Sequence, residues 1–197
     1  MCIICISPAG VRQPTTTTLR TMFHRNPHGA GYMVARGGKV TIHKGFMNLE
    51  DFLRAVHSER FTAEDSVVYH FRISTQAGVN PEMTHPFPLS NQPRRMRDLD
   101  MICRCGVAHN GIIRLTSDPD NKRYSDTAIF ITDYLTQIIR KPADLRNQEK
   151  LNLVYELAQS KFAIMDGSGY IATVGNYIND RGILYSNNSY ETYKLGY

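Results

Sequence analysis

Cysteine is scarce in this 197-residue sequence, at four residues. No apolar run approaches the 18 or more residues that a membrane-spanning helix needs. Four thiols are too few for a disulfide framework at this length, and a reducing compartment keeps them free. The first residues lack the basic segment, apolar core and cleavage site of a secretory leader. These absences point to a soluble, cytoplasmic protein with no membrane partner. Zinc is poorly provided for as well. Cys2 and Cys5 have the spacing of a ligand pair, but Cys103 and Cys105 are separated by one residue, fewer than the usual two to four, and no metal is expected.

What is present suits one domain over residues 1–197. Hydrophobic residues make up 42% of the chain, enough for a substantial core. Lysine and arginine number 23 against 18 aspartate and glutamate, for a net charge of +5. That charge is spread along the chain, its densest cluster being Arg94, Arg95 and Arg97. Three arginines in four residues read as a solvated loop, so nucleic acid is not expected as a partner.

Cys2 to Ile6 reads as a buried strand closed by Ser7-Pro8-Ala9-Gly10. Thr15 to Thr18 leads into a short helix through Leu19, Met22 and Phe23, ended by Asn26-Pro27. Ala30–Ala35 and Lys39–Lys44 form a hairpin about Arg36-Gly37-Gly38. Asn48 caps a helix through Leu49, Phe52, Leu53 and Val56, and Ser66–Arg72 alternates as a strand. Pro81, Pro86, Pro88 and Pro93 forbid regular pairing over most of residues 74–93, a length of loop that is usually functional or disordered. Met101–His109 reads as a single strand ending at Asn110-Gly111. Ser125 caps a helix carrying Asp126 in its first turn, and a second helix spans Asn147–Gln159. The strands Phe162–Met165, Tyr170–Val174 and Gly182–Tyr185 follow. Strands, two long helices and strands again predict an α+β fold with layered helices and mostly antiparallel sheets.

Four short stretches stand out. They are Asn26-Pro27-His28-Gly29-Ala30-Gly31-Tyr32, His70-Phe71-Arg72-Ile73-Ser74-Thr75 with Thr84-His85-Pro86-Phe87 behind it, Ala108-His109-Asn110-Gly111, and Ser125-Asp126-Thr127. Each alone is an ordinary turn, strand end or helix cap. In this order, behind a cysteine at position two, they resemble the glutaminase domain of class II glutamine amidotransferases, within the N-terminal nucleophile (Ntn) hydrolases. The match runs from Cys2 to about Asp126, and the closing strands with Tyr185-Ser186-Asn187 look like the small stand-alone members.

The resemblance implies a four-layer αββα sandwich of two mostly antiparallel sheets flanked by helices. It implies that Met1 is removed and that Cys2 is the nucleophile. A free α-amine, with a pKa of about 7.7 to 8.0, then serves as the base for a thiol of about 8.5. Cys2 attacks the side-chain amide of glutamine, passes through an oxyanion and a thioester, and releases ammonia; no cofactor is involved. Asn110 and Gly111 map onto the oxyanion hole. Arg72 maps onto the residue that holds the substrate carboxylate and Asp126 onto the one that takes the ammonium. Thr75 and His85 are implied as supporting contacts. His109 positions the turn rather than exchanging protons, Cys5 belongs to the core, and the loop over residues 74–93 is a candidate cover.

Two features depart from the family pattern. His28 stands where the glycine-rich turn often carries aspartate, and the 23 residues between His85 and His109 form a longer segment than in many members, suited to a partner. The sequence ends where a glutaminase domain would, which implies an ammonia-accepting synthase as a separate subunit. The alternatives are a hydrolase of another γ-glutamyl compound, a zinc-stabilised nucleic-acid-binding module, and a pseudoenzyme.

Overall fold

The computed structural model describes residues 2–73, 79–117 and 123–192. Strand β1 (Ile3–Ser7) is followed by helix α1 (Thr16–Arg25), whose Thr15 side chain accepts from the Thr18 amide. The hairpin β2 (Ala30–Arg36) and β3 (Lys39–Phe46) turns at Gly37 and Gly38, with φ of 56° and 73°. Those left-handed values are what a tight two-glycine turn requires. Helix α2 (Leu49–Glu59) starts at Asn48, whose side chain accepts from the Asp51 amide, and strand β4 (Val67–Phe71) follows. The proline-rich stretch contains 3₁₀ turns at Pro81–Met83 and Pro93–Arg97 around a two-residue strand, β5 (Phe87–Pro88).

Met101–His109 is not one strand. The chain forms β6 (Asp100–Cys103) and β7 (Cys105–Asn110), which lie in different sheets and part at Arg104. Arg104 is the one charged, exposed residue between the buried Cys103 and Cys105; a single charge inside a strand is commonly its solvent-facing position, so it does not mark the crossing.

Helix α3 (Asp126–Phe130) passes through a π turn at Ile131–Leu135 into α4 (Thr136–Ile138), and α5 (Gln148–Ala158) is capped by Asn147. The chain then forms β8 (Lys161–Asp166), β9 (Ile171–Val174), β10 (Ile178–Asp180) and β11 (Ile183–Tyr185). Strand β10 was not foreseen; it is three residues long and half exposed, too short for a periodic signal.

These strands make two antiparallel sheets, ordered β10-β11-β1-β4-β2-β3-β6 and β5-β7-β8-β9. In the first, β1 pairs with β4 in the register Ile4 opposite His70 and with β11 in the register Cys5 opposite Tyr185. Strands from both ends of the chain are therefore neighbours in this sheet.

Alternation along the strands separates three apolar clusters. Ile3, Cys5, Tyr32, Val67, Tyr69 and Phe71 pack with Leu19, Met22 and Phe23 of α1 and Phe52, Leu53 and Val56 of α2. Ile4, Ile6, Met33, Ile42 and Val68 face Ala108, Ala163 and Met165 of the second sheet. That sheet's Val107, Phe162 and Ile164 pack with Phe130, Ile131, Leu135 and Val154 of the later helices. Strand β4 is buried along its whole length, since both of its faces are covered. The alternation read for Ser66–Arg72 thus sorts residues between two cores rather than between core and water. Cys5 lies in the first cluster, on the opposite face from Ile4 and hence from Cys2, which shares Ile4's parity.

Candidate active site

Cys2 precedes β1 and is half-buried. Its sulfur accepts from the Ile73 amide at 3.3 Å and its thiol lies 3.5 Å from the Ile73 carbonyl oxygen. The Asn187 side chain donates to the Cys2 carbonyl at 2.7 Å, fixing the backbone there from the far end of the chain. Burial raises the thiol pKa above its usual value, opposed by the Ile73 amide and by the charge of Arg72. A neutral thiol is therefore the resting form at neutral pH, and one donor is already directed at the sulfur.

Cys2, Asn110 and Gly111 line one cleft of about 880 Å³, together with Ile73, Ser160 and Lys161. Asn110 ends β7 and donates from Nδ2 to Ser186 Oγ at 2.9 Å; the same oxygen accepts from the Ile4 amide at 2.8 Å. Asn110 Oδ1 is buried with no hydrogen-bond partner among the described residues. Gly111 has φ of +145°, and a β-carbon there would lie 1.9 Å from Ser160 Oγ. Only glycine fits this turn without displacing Ser160.

His109 braces the turn from behind. Its Nδ1 is 2.8 Å from Thr127 Oγ1 and its Nε2 is 2.7 Å from Ser160 Oγ, while Ser160 donates to the Asn110 carbonyl at 3.2 Å. Burial pushes its pKa down to about 3, so it is neutral at physiological pH. A neutral ring held by hydroxyls at both nitrogens positions the turn; it does not titrate near neutrality.

Arg72 and Asp126 lie outside the described lining of this cleft. Arg72 is buried at the end of β4, where its amide donates to the Gly29 carbonyl at 2.8 Å. Burial lowers its pKa, and the charges of Cys2 and Asp126 oppose that, which places all three within electrostatic reach. The Asp126 carboxylate accepts from the Ile113 amide at 2.8 Å and the Thr127 amide at 2.7 Å. Its side chain therefore ties the segment after Gly111 to the start of α3.

His85 also lies outside that lining. Its ring lies against His70, tilted by 41° with centroids 4.3 Å apart, and meets Phe87 at 4.6 Å, and neither ring nitrogen has a hydrogen-bond partner among the described residues. Its backbone explains two of the motifs at once. A β-carbon on Gly31 would lie 2.3 Å from the His85 carbonyl oxygen, and one on Gly29 would lie 2.6 Å from Thr84 Cγ2. The glycine-rich turn and the Thr-His-Pro stretch thus occur together because one packs directly on the other. His28 donates its amide to the Arg72 carbonyl at 2.9 Å. Thr75 falls outside the described residues, as do residues 74–78 of the expected cover.

Sequence reasoning assigned no role to Ile73, Ser160, Ser186 or Asn187. Each acts through contacts tens to almost two hundred positions away in the chain; Ile73 lies inside the His70–Thr75 motif and Ser186-Asn187 in the family-like ending, but neither motif signals these roles. Among the described residues no three His, Cys, Asp or Glu side chains group as metal ligands, and no helix is long and apolar enough to cross a membrane.

No protein-family model matches this chain, and no curated protein sequence matches it. Among solved structures it is similar to the glutamine phosphoribosylpyrophosphate amidotransferase from B. subtilis, described in complex with ADP and GMP. The TM-score is 0.45 at 18% identity, over 85% of this chain and 35% of that one. The chain thus spans about a third of the length of that enzyme.

Proposed function

We propose that this chain is a glutamine amidotransferase-type glutaminase of the Ntn class, one domain over residues 1–197 with its layers in αββα order. The three apolar clusters, each between successive layers, support that order. The observation that carries the functional reading is the convergence of Cys2, Asn110 and Gly111 on one cleft.

Removal of Met1 frees the Cys2 amine, which takes the thiol proton. The sulfur attacks the amide carbon of glutamine and the carbonyl oxygen becomes an oxyanion. As this collapses to a thioester, the amine returns the proton to the leaving ammonia. Water, deprotonated by the same amine, then adds to the thioester and releases glutamate. The chemistry needs no cofactor. Burial disfavours a free thiolate at Cys2, so the adjacent amine supplies the base that the thiol lacks.

The oxyanion requires donors at the Asn110-Gly111 turn. Turned by 180° about its terminal bond, the Asn110 amide would accept the Ser186 hydroxyl through Oδ1 and leave Nδ2 free to donate to the oxyanion. We assign this orientation to the working site. Arg72 holds the substrate carboxylate and Asp126 the ammonium, with Thr75 and His85 in support. Four free thiols suit the reducing cytoplasm, and the ammonia is passed to a separate synthase subunit.

A second reading, hydrolysis of a larger γ-glutamyl compound, is favoured by the cleft's volume and by the exposed Ile112, Leu115 and Leu157 along it. Ammonia release from glutamine by the wild type and by Cys2→Ala tests the first reading. Release by the wild type alone supports it, and equal release by both proteins contradicts it. Glutamate release from γ-glutamyl amides with apolar substituents, faster than from glutamine, would favour the second.

A further inference from the structure

A second cleft, of about 680 Å³, lies at the crossing between the two sheets and shares no lining residue with the Cys2 cleft. Five cationic side chains line it: Lys39 at the start of β3, Arg95 in the 3₁₀ turn Pro93–Arg97, Arg104 between β6 and β7, and Arg140 and Lys141 after α4. No aspartate, glutamate or aromatic residue is in its described lining. None of the five cations forms an ion pair among the described residues.

The neighbouring carboxylates are already engaged. Asp144 accepts from Lys150 at 2.8 Å and from the amides of Arg140 and Lys141, and Asp166 pairs with Arg146 at 2.8 Å. Two of the cations are held in place without being neutralised, Arg95 by the Ile102 carbonyl at 3.2 Å and Arg140 by the Gln137 carbonyl at 3.1 Å. Arg104 is exposed although Cys103 and Cys105 on either side are buried, because the chain changes sheets at that residue.

Positive charges brought together from four separate segments repel one another, and a multiply charged anion relieves that repulsion. Guanidinium groups suit phosphate oxygens in particular, through paired hydrogen bonds. The bounded volume suits a small ligand, and the lack of aromatic lining leaves no platform on which the bases of a single-stranded nucleic acid would stack. We propose that this cleft binds a compact oligophosphate anion, held by Lys39, Arg95, Arg104, Arg140 and Lys141. It is a site separate from the proposed glutaminase chemistry.

Isothermal titration of the full chain with inorganic tripolyphosphate tests this. The expected result is one saturable site whose affinity falls as salt rises from about 0.05 M to about 0.5 M. The double variant Arg104→Ala/Lys141→Ala, and independently Lys39→Ala/Arg140→Ala, should each weaken binding about tenfold or more. Arg20→Ala/Arg54→Ala, which removes the same formal charge elsewhere on the surface, should stay within about twofold of the wild type. Absence of saturable binding by the folded wild type overturns the proposal. So does equal loss in the cleft and control variants, which would report net charge alone. Tighter binding of a mixed-sequence oligonucleotide through the same residues would also overturn it, in favour of nucleic acid.

Discussion

Asn110 donates from Nδ2 to the hydroxyl oxygen of Ser186 at 2.9 Å, across 76 positions of chain, and that oxygen also receives the amide of Ile4. One hydroxyl thus holds the Asn110 side chain against β1, the strand that Cys2 precedes. In the proposed working orientation it would set the direction of Asn110 Nδ2. Ser186→Ala should lower kcat for glutamine hydrolysis about tenfold, and Asn110→Ala about a hundredfold or more, with KM little changed in both. Steady-state ammonia release measures this; an unchanged kcat in Ser186→Ala would remove the hydroxyl from the mechanism.

Arg72 is buried beside Cys2 and feels the charge of Asp126. Arg72→Lys keeps the charge but loses the fork that fits a carboxylate. The expected effect is a rise in KM of about tenfold or more, with a smaller fall in kcat. An unaltered KM would place substrate carboxylate binding elsewhere.

Two glycine substitutions should separate close packing from backbone conformation. Gly31→Ala drives a β-carbon to 2.3 Å from the His85 carbonyl oxygen, a backbone atom that cannot swing aside. It should cost about 3 kcal/mol or more. Gly10 has φ of +90° with nothing within 4 Å of the added carbon, so Gly10→Ala should cost about 1 kcal/mol. Urea unfolding of both variants checks the order.

Three neutral histidines are buried close together. Burial pushes His70 and His109 down to about 3, and holds His85 well below its usual value with help from the neighbouring cations. The folded pKa lies below the unfolded one in each case, so the unfolded chain binds more protons between the two. Stability is then whole above about pH 6.5 and is lost as pH falls toward 3, by about 2 kcal/mol at about pH 5 for each of His70 and His109, with His85 acting in the same direction. Urea unfolding at about pH 7.5 and about pH 5 measures this; equal stability would mean that these rings are already charged in the fold.

Much of the secondary structure was legible because capping and turn chemistry are local. Thr15, Asn48, Ser125 and Asn147 each accept from an amide three residues on, and the paired glycines mark the first hairpin. The crossing at Arg104 was not legible, because one charged residue inside an otherwise apolar stretch also reads as the solvent-facing position of a single continuous strand. Nor was the π turn at Ile131–Leu135, since one extra residue per turn barely disturbs an apolar stripe. At the site, the cysteine and the Asn-Gly turn could be read as motifs. Ser160, Ser186 and Asn187 could not be given roles, because they matter only through distant pairing.

The central claim is that Cys2, once its amine is free, hydrolyses the glutamine amide. Its most direct test is ammonia release from glutamine measured across pH on a sample whose intact mass reports whether Met1 is present. The expected result is activity confined to the chain that begins at Cys2, rising with pH through about 8 as the α-amine loses its proton. Release by chains that retain Met1, at the rate of chains that lack it, would contradict the claim.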